Sequence, residues 1–522
     1  MQPKGLRPLI NEARSLALHL DQERWAVSDG TTIWEGDVDH LSEPEVAAWL
    51  ADPSRHKAVH SAVDAARYVA SRSIHLNGAI GVADAVHVLT AGLSKAEVLA
   101  AAARHYDLHL EEHSRAPLDP VTEPGQVATL VFAAAASIRQ WACRAGLWEE
   151  VLIDSASATV LGRMTERGVP ILQRSWEDVC EHAMLTSALS RGRLRSAIGL
   201  EDAPDGGEAV MSSPSALSAQ IATVTGRHIE GLSKEHMGDL PAEVAEPLAQ
   251  WRHNEVIARH ATDVHNGQLR PLWSSTAAST GRVAARDPNV IALPTELAEA
   301  VGAPDVTILS LDWRMQEPWI VAAQSGSTEL LRLLQTEDPY EELAQLWSVS
   351  RATAKRSFLS ALYGRRSSAA SKSSLLAGAL DHVSRPRLVA PPDLGCGLLA
   401  EWRDVRAVAG GPRRRLVRSP DIANKKLSLA NAPIQSTGAA MLRRAMVEVE
   451  GVLAGHGHIV MVVHDEIVAA IRPGAESASM AAAKAAMDAA AQATIGHTPP
   501  VRAGFGRNLA EARRRSAQPI SG

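Results

Sequence analysis

Residues 458–471 read HIVMVVHDEIVAAI, and the reading of this stretch decides what the rest of the chain has to build. β-Branched residues crowd the positions on both sides of His464-Asp465-Glu466, which predicts two buried strands joined by a tight turn with the acidic tip on it. A carboxylate in that place is held rigidly. An ordinary hairpin with a polar turn would use the same residue types, so the meaning of Asp465 depends on what else the chain supplies.

A second acidic strand end lies upstream, in VTILSLDWRMQEPWIVAA at 306–323. Val306 to Leu311 predicts an apolar strand delivering Asp312, and Glu317 follows at the start of a predicted helix running to Gln324. Two such carboxylates are what nucleotidyl transfer requires, because a pair of Mg²⁺ ions about 4 Å apart must be held to stabilise the attacking and leaving oxygens. Between them, Leu343 to Tyr363 contains no Gly or Pro, and Gly364 stands where a helix should stop. Arg351, Lys355, Leu359 and Tyr363 recur every fourth residue, and at 3.6 residues per turn each step drifts by about 40°, giving one stripe roughly 18 Å long. The cationic end suits a triphosphate and the aromatic end a base or sugar. A solvated cationic helix face is the plainer reading of the same spacing.

Taken in order, seven segments resemble family A, DNA polymerase I-like, DNA polymerases: VLGRMTERGVPI, TAASTGRVAARDPNVIALP, LDWRMQEPW, RATAKRSFLSALYG, NAPIQSTGAAMLRRAM, VVHDEIV and VRAGFGRNLAEA. The resemblance implies a multidomain α/β (α+β) fold, a right-hand polymerase with palm, fingers and thumb preceded by a degenerate ribonuclease H-like exonuclease domain. It implies an exonuclease-like domain over 1–140 and a polymerase domain over 141–522. Within the latter the thumb would span about 150–270, the palm about 271–340 and 427–522, and the fingers about 341–426. Asp312 and Asp465 would bind two Mg²⁺ ions, with Mn²⁺ as a substitute, and Lys355 would join them as a catalytic group. Arg351, Lys355, Leu359, Tyr363, Glu317 and Tyr340 would contact the incoming dNTP, Glu317 and Tyr363 closing the space of a ribose 2′-OH. Arg282, Asn289, Asn431, Gln435 and His464 would contact the DNA primer–template, and Glu466 would be a supporting carboxylate.

Departures from the family pattern are specific. Leu359 stands where the family commonly has Phe or Tyr, Ser360 where it has Gly, Ile291 where it has Gln, and the helix around Arg259 and His260 lacks the usual lysine pair. In the exonuclease-like part, Phe132 and Ala136 fall at an expected Tyr and Asp, Asp64 survives from a second motif, and Asp21 with Glu23 reads as a hairpin turn better than as metal ligands. The expected thumb tip is acidic, with Glu201, Asp202, Asp205 and Glu208. That predicts a weak duplex grip and a processivity partner.

Composition sets wide bounds. A chain of 522 residues with 46% hydrophobic and 21% charged content reads as globular, and three cysteines without metal or disulfide spacing suit a reducing cytoplasm, that of a bacterium or a phage-infected host. Neither a membrane span nor a signal-peptide pattern is evident. Net charge is −6, yet Arg351 to Arg444 holds 18 Lys/Arg against 5 Asp/Glu, including Arg413, Arg414, Arg415, Arg418, Lys425 and Lys426. A local basic footprint of this kind is what phosphate contact needs. Three classes stay open on these grounds: a templated DNA polymerase, a nucleotidyltransferase that uses the site without template or on short primers, and a scaffold with a silent site.

Overall fold

A computed structural model of the chain describes residues 15–20, 23–90, 124–203, 205–227, 231, 237–238, 240–362, 388–389, 405–408, 412, 415–418 and 426–516. Near the amino terminus, β1 (Ser15–Leu20), β2 (Arg24–Ser28), β3 (Ile33–Asp37), β4 (His56–Val59) and β5 (Ala79–Gly81) form one sheet in the order β3-β2-β1-β4-β5. β2 and β3 run antiparallel to their neighbours, whereas β4 and β5 continue parallel to β1. The sheet is therefore mixed, with an antiparallel meander on one side of β1 and two parallel strands on the other. Glu23 lies in the β1–β2 connection, where Leu20 pairs with Trp25, so it belongs to a hairpin turn as expected; Asp21 lies outside the described residues.

Helix α1 (Ala62–Ala70) and helix α2 (Pro124–Ala145) cover this sheet, and α2 carries the layer past the expected boundary near 140. Next, α3 (Trp148–Arg167) joins the two halves of the molecule. Gly162 lets it lie against α1, because a Cβ there would come within 2.3 Å of the Val63 carbonyl oxygen. Within the span expected to be the thumb, α4 (Gln173–Ala197) and α5 (Ala242–Ala258) pair, antiparallel because Cys180 reaches the Ile257 carbonyl and Ser190 reaches Gln250. Its far end has a small core of its own, with Leu194, Ile198, Met211, Leu217, Ile221 and Leu248 buried together.

The second large sheet contains β6 (Thr307–Trp313), β7 (Gly457–Val463), β8 (Glu466–Ile471) and β9 (Val501–Gly506), in the fully antiparallel order β7-β8-β6-β9. The expected HIVMVVHDEIVAAI hairpin is β7 and β8, and β6 delivers Asp312 beside it. Helices α6 (Gln316–Ser325), α7 (Pro339–Trp347), α8 (Arg351–Leu362), α9 (Lys426–Val452), α10 (Glu476–Ile495) and α11 (Leu509–Ser516) complete this half. The helix expected without interruption from Leu343 to Tyr363 is two helices. Ser348 breaks it with left-handed backbone (φ 54°, ψ 47°), and Ser350 restarts it by accepting a hydrogen bond from the Thr353 amide at 3.3 Å. Among the basic run, Arg415–Arg418 is a strand in a small antiparallel sheet with Leu388–Val389 and Val405–Val408, and Lys426 opens α9; Arg413, Arg414 and Lys425 lie outside the described residues.

Candidate active site

Strand pairing builds the acidic centre. Asp312, near the end of β6, is registered opposite Glu466 on β8 and opposite Arg502 on β9, and Asp465 sits in the turn immediately before Glu466. That turn needs left-handed backbone at His464 (φ 58°), and Met315, just ahead of α6, adopts the same region (φ 61°). Non-glycine residues pay an energetic penalty there, and such strain concentrates at functional sites. The two bends aim Asp465 and Glu317 into one cleft of about 340 Å³, lined also by Arg282, Tyr340, Leu359, Gly438, Leu442 and His464.

The carboxylates perturb one another. Asp312 and Asp465 are within hydrogen-bonding reach, and burial, the Asp465 charge and the Glu466 charge push Asp312 up to about 7. Asp465 is raised too, by burial first and by Glu317. Glu466 does not join them as a free carboxylate. Arg513 of α11 grips both its oxygens, Nε to Oε1 at 2.9 Å and Nη2 to Oε2 at 2.6 Å, and the Ser310 hydroxyl donates to Oε1 at 2.7 Å. Glu317 forms an ion pair with Arg282 across the cleft.

The cationic stripe begins on α8 as the sequence spacing predicts. Arg351 and Lys355 are exposed and Leu359 is half-buried at the cleft; Tyr363 lies outside the described residues. Arg351 Nε is held by Asp338 at 2.7 Å, the same carboxylate that caps α7 through the Tyr340 and Glu341 amides. Both Arg351 and Lys355 lie over the Tyr340 ring, each 5.6 Å from its centroid. Sequence spacing brought these cations together, but the Asp338 latch and the aromatic floor come from the turn of the chain at Ser348.

Residues 413–511 match the family model described as DNA polymerase family A. The matched segment is 99 of the chain's 522 residues, so the family likeness in sequence rests on the carboxyl-terminal part of the chain. Its fold matches a solved structure described as the POL domain of Pol1 from M. smegmatis in complex with DNA primer-template and dNTP, with a TM-score of 0.73 and 18% identity, over 98% of this chain and 99% of that one. No curated protein matches the chain in sequence.

The remaining expected DNA contacts are spread around the cleft instead of lining it. Asn289 is exposed ahead of a short 3₁₀ turn, Gln435 is half-buried on α9, and Asn431 is buried near the start of that helix. Arg443, absent from the sequence reading, is fully buried on α9 and donates to Asp154 of α3 at 3.0 Å and to the carbonyls of Ser275 and Gly281, fixing the loop that presents Arg282. A charged residue amid LRRAM gives no sign of facing inward. Gly438 was also missed; a Cβ there would meet Gln316 Oε1 at 2.7 Å, so glycine is what lets α6 lie across α9.

Asp64 lines a pocket with His19, His60, Ser61 and Tyr68 at the carboxyl ends of β1 and β4, whereas Phe132 and Ala136 line a separate one with His56, Arg139 and Trp148 at their amino ends. The structure does not bring these three positions together. In the segment expected to be the thumb tip, Glu208 pairs with Arg191 at 2.6 Å, while Glu201 accepts from Ser196 and Asp205 accepts from the Gly207 and Ala209 amides, neutral donors that leave both charges in place.

Proposed function

We propose that this chain is a template-directed DNA polymerase that adds dNTPs to a primer 3′-OH, without proofreading. The observation that carries the reading is the Asp312–Asp465 pair, two half-buried carboxylates, one near a strand end and one on a hairpin turn, in contact with each other where Asp465 lines the cleft beside the Arg351/Lys355 stripe. Paired hard oxygen donors, each held toward protonation by burial and by neighbouring acids, fit Mg²⁺ or Mn²⁺, whose charge relieves the repulsion. When bound, a pair of such ions polarises the phosphoryl group and the primer oxygen.

The chain's own groups do the positioning. Lys355 and Arg351 offer donors to the triphosphate and offset charge on the departing pyrophosphate, Arg351 exchanging Asp338 for phosphate as it does so. Tyr340 supports both cations from below, and Leu359 covers the base with an aliphatic face. Glu317, steadied by Arg282, fills the space of a 2′-OH and leaves that hydroxyl without a satisfied partner. Arg282, Asn289, Asn431, Gln435 and His464 surround the primer terminus and template, and Glu466 acts from behind through Arg513.

The absence of proofreading is supported by Asp64 lining its pocket without another carboxylate from the described residues. Among the described residues no helix is long and apolar enough to cross a membrane, which accords with a cytoplasmic role on DNA. Primer extension with single dNTPs, with and without template, tests the assignment. Complementary, template-dependent addition is expected, and equal addition without template would make the protein a terminal nucleotidyltransferase instead.

A further inference from the structure

We infer that Arg513 is a positioning residue whose task is to withhold Glu466 from the Asp312–Asp465 pair, so that the centre presents two carboxylates and not three. This rests on the reading of that pair as the cation-binding centre. Three acids meet at this point of the sheet, because β6–β8 register sets Asp312 directly opposite Glu466 and Asp465 precedes Glu466 in the chain. Opposed residues on antiparallel strands have Cβ atoms about 5 Å apart, so an unrestrained Glu466 would reach the same cation as Asp312.

The geometry shows what prevents it. Arg513 takes both carboxylate oxygens in a bidentate pair, and Ser310 Oγ takes a further position on Oε1, while the Glu466 side chain is only 10% exposed. Bidentate guanidinium–carboxylate pairs fix orientation as well as charge. Arg513 reaches Glu466 because α11 folds back over β9 and β6, placing a cation 47 residues away in sequence against the acid. Its charge also acts on Asp312 across the same short gap. The local charge is therefore that of two acids, not three, and Glu466 serves as the buried counter-ion that anchors Arg513.

Opposite signs of two substitutions separate this role from simple packing. In Arg513→Ala, Glu466 is released toward the pair, so Mn²⁺ binding to the full chain without nucleotide or DNA, read by electron paramagnetic resonance, should tighten about 10-fold while primer extension slows. In Glu466→Gln, Arg513 is left uncompensated beside Asp312, and Mn²⁺ binding should weaken by a comparable factor. Arg513→Lys should return most of the wild-type affinity, Arg513→Ala with Glu466→Gln should cancel the tightening, and Arg513→Gln, expected to tighten Mn²⁺ binding like the alanine variant, keeps the test decisive should the alanine variant fold poorly. Unchanged Mn²⁺ affinity in Arg513→Ala or Arg513→Gln, with only a lowered Tm, would make Arg513 a packing residue and overturn the inference. Loss of Mn²⁺ binding in Asp312→Ala is the control. If it fails, the assignment of the centre is wrong, whatever Arg513 does.

Discussion

The two large sheets offer the same opportunity and use it differently. In the palm sheet, strand register and a left-handed turn force Asp312, Asp465 and Glu466 together, and burial with mutual repulsion raises Asp312 to about 7. In the amino-terminal sheet, Asp64 lines its pocket with histidines and a tyrosine, and Phe132 and Ala136 face another pocket. Both sheets have well-buried apolar cores, so packing maintains either fold. What differs is the tolerance of a costly acidic pair, which a fold has no reason to keep unless chemistry uses it. The mutually repelling acids beside two left-handed residues, His464 and Met315, are what distinguish the second large sheet.

Replacing Asp312 or Asp465 with Ala attacks the palm side of this comparison and should have the largest effect. Nucleotide incorporation is expected to fall by about 10³-fold or more, since such preorganised charge contributes most of the transition-state stabilisation. DNA binding, measured separately by fluorescence anisotropy, should change little because it comes from the basic segment. Normal extension by either variant would dissolve the contrast between the sheets.

A smaller effect should follow from the sugar gate. On the proposed role of Glu317 at the 2′-OH space, Glu317→Ala opens that space and frees Arg282, so the preference for dNTP over rNTP, taken as a ratio of kcat/KM values, should drop about 10-fold or more. An unchanged ratio would assign sugar selection to some other residue.

The pH dependence of stability sharpens the comparison further. The folded-state proton affinity of Asp312 exceeds that of an ordinary carboxyl, so this group contributes stability that is complete below about pH 4 and is lost as pH rises through about 7. Tm of the cation-free protein should therefore fall between pH 5 and 8 by more than Tm of Asp312→Asn. Identical slopes would mean that the pair does not titrate as described.

How much of this was legible depends on the range of the interaction. Asp312, Asp465 and Glu317 were readable because each is set by a local pattern, a β-branched run ending in an acid or an acid opening a helix. The Ser348 break was not, because Ser-Val-Ser lacks a Gly or Pro and acts through one left-handed residue and a hydroxyl cap. Arg513 and Arg443 escaped for a different reason. Both are arginines on helices whose partners lie 47 and 289 residues away, and nothing in their neighbours announces an inward face. The Arg191 partner of Glu208 was hidden because composition counts charge without its partner.

The most direct test follows one labelled primer–template in a single reaction, scoring addition and removal at the 3′ end for the wild type, Asp312→Ala and Asp64→Ala. Asp312→Ala should abolish addition, removal should be absent from all three, and Asp64→Ala should extend the primer as well as the wild type. Mg²⁺-dependent removal that survives Asp312→Ala and disappears in Asp64→Ala would show that the amino-terminal sheet still carries chemistry, and would contradict the account.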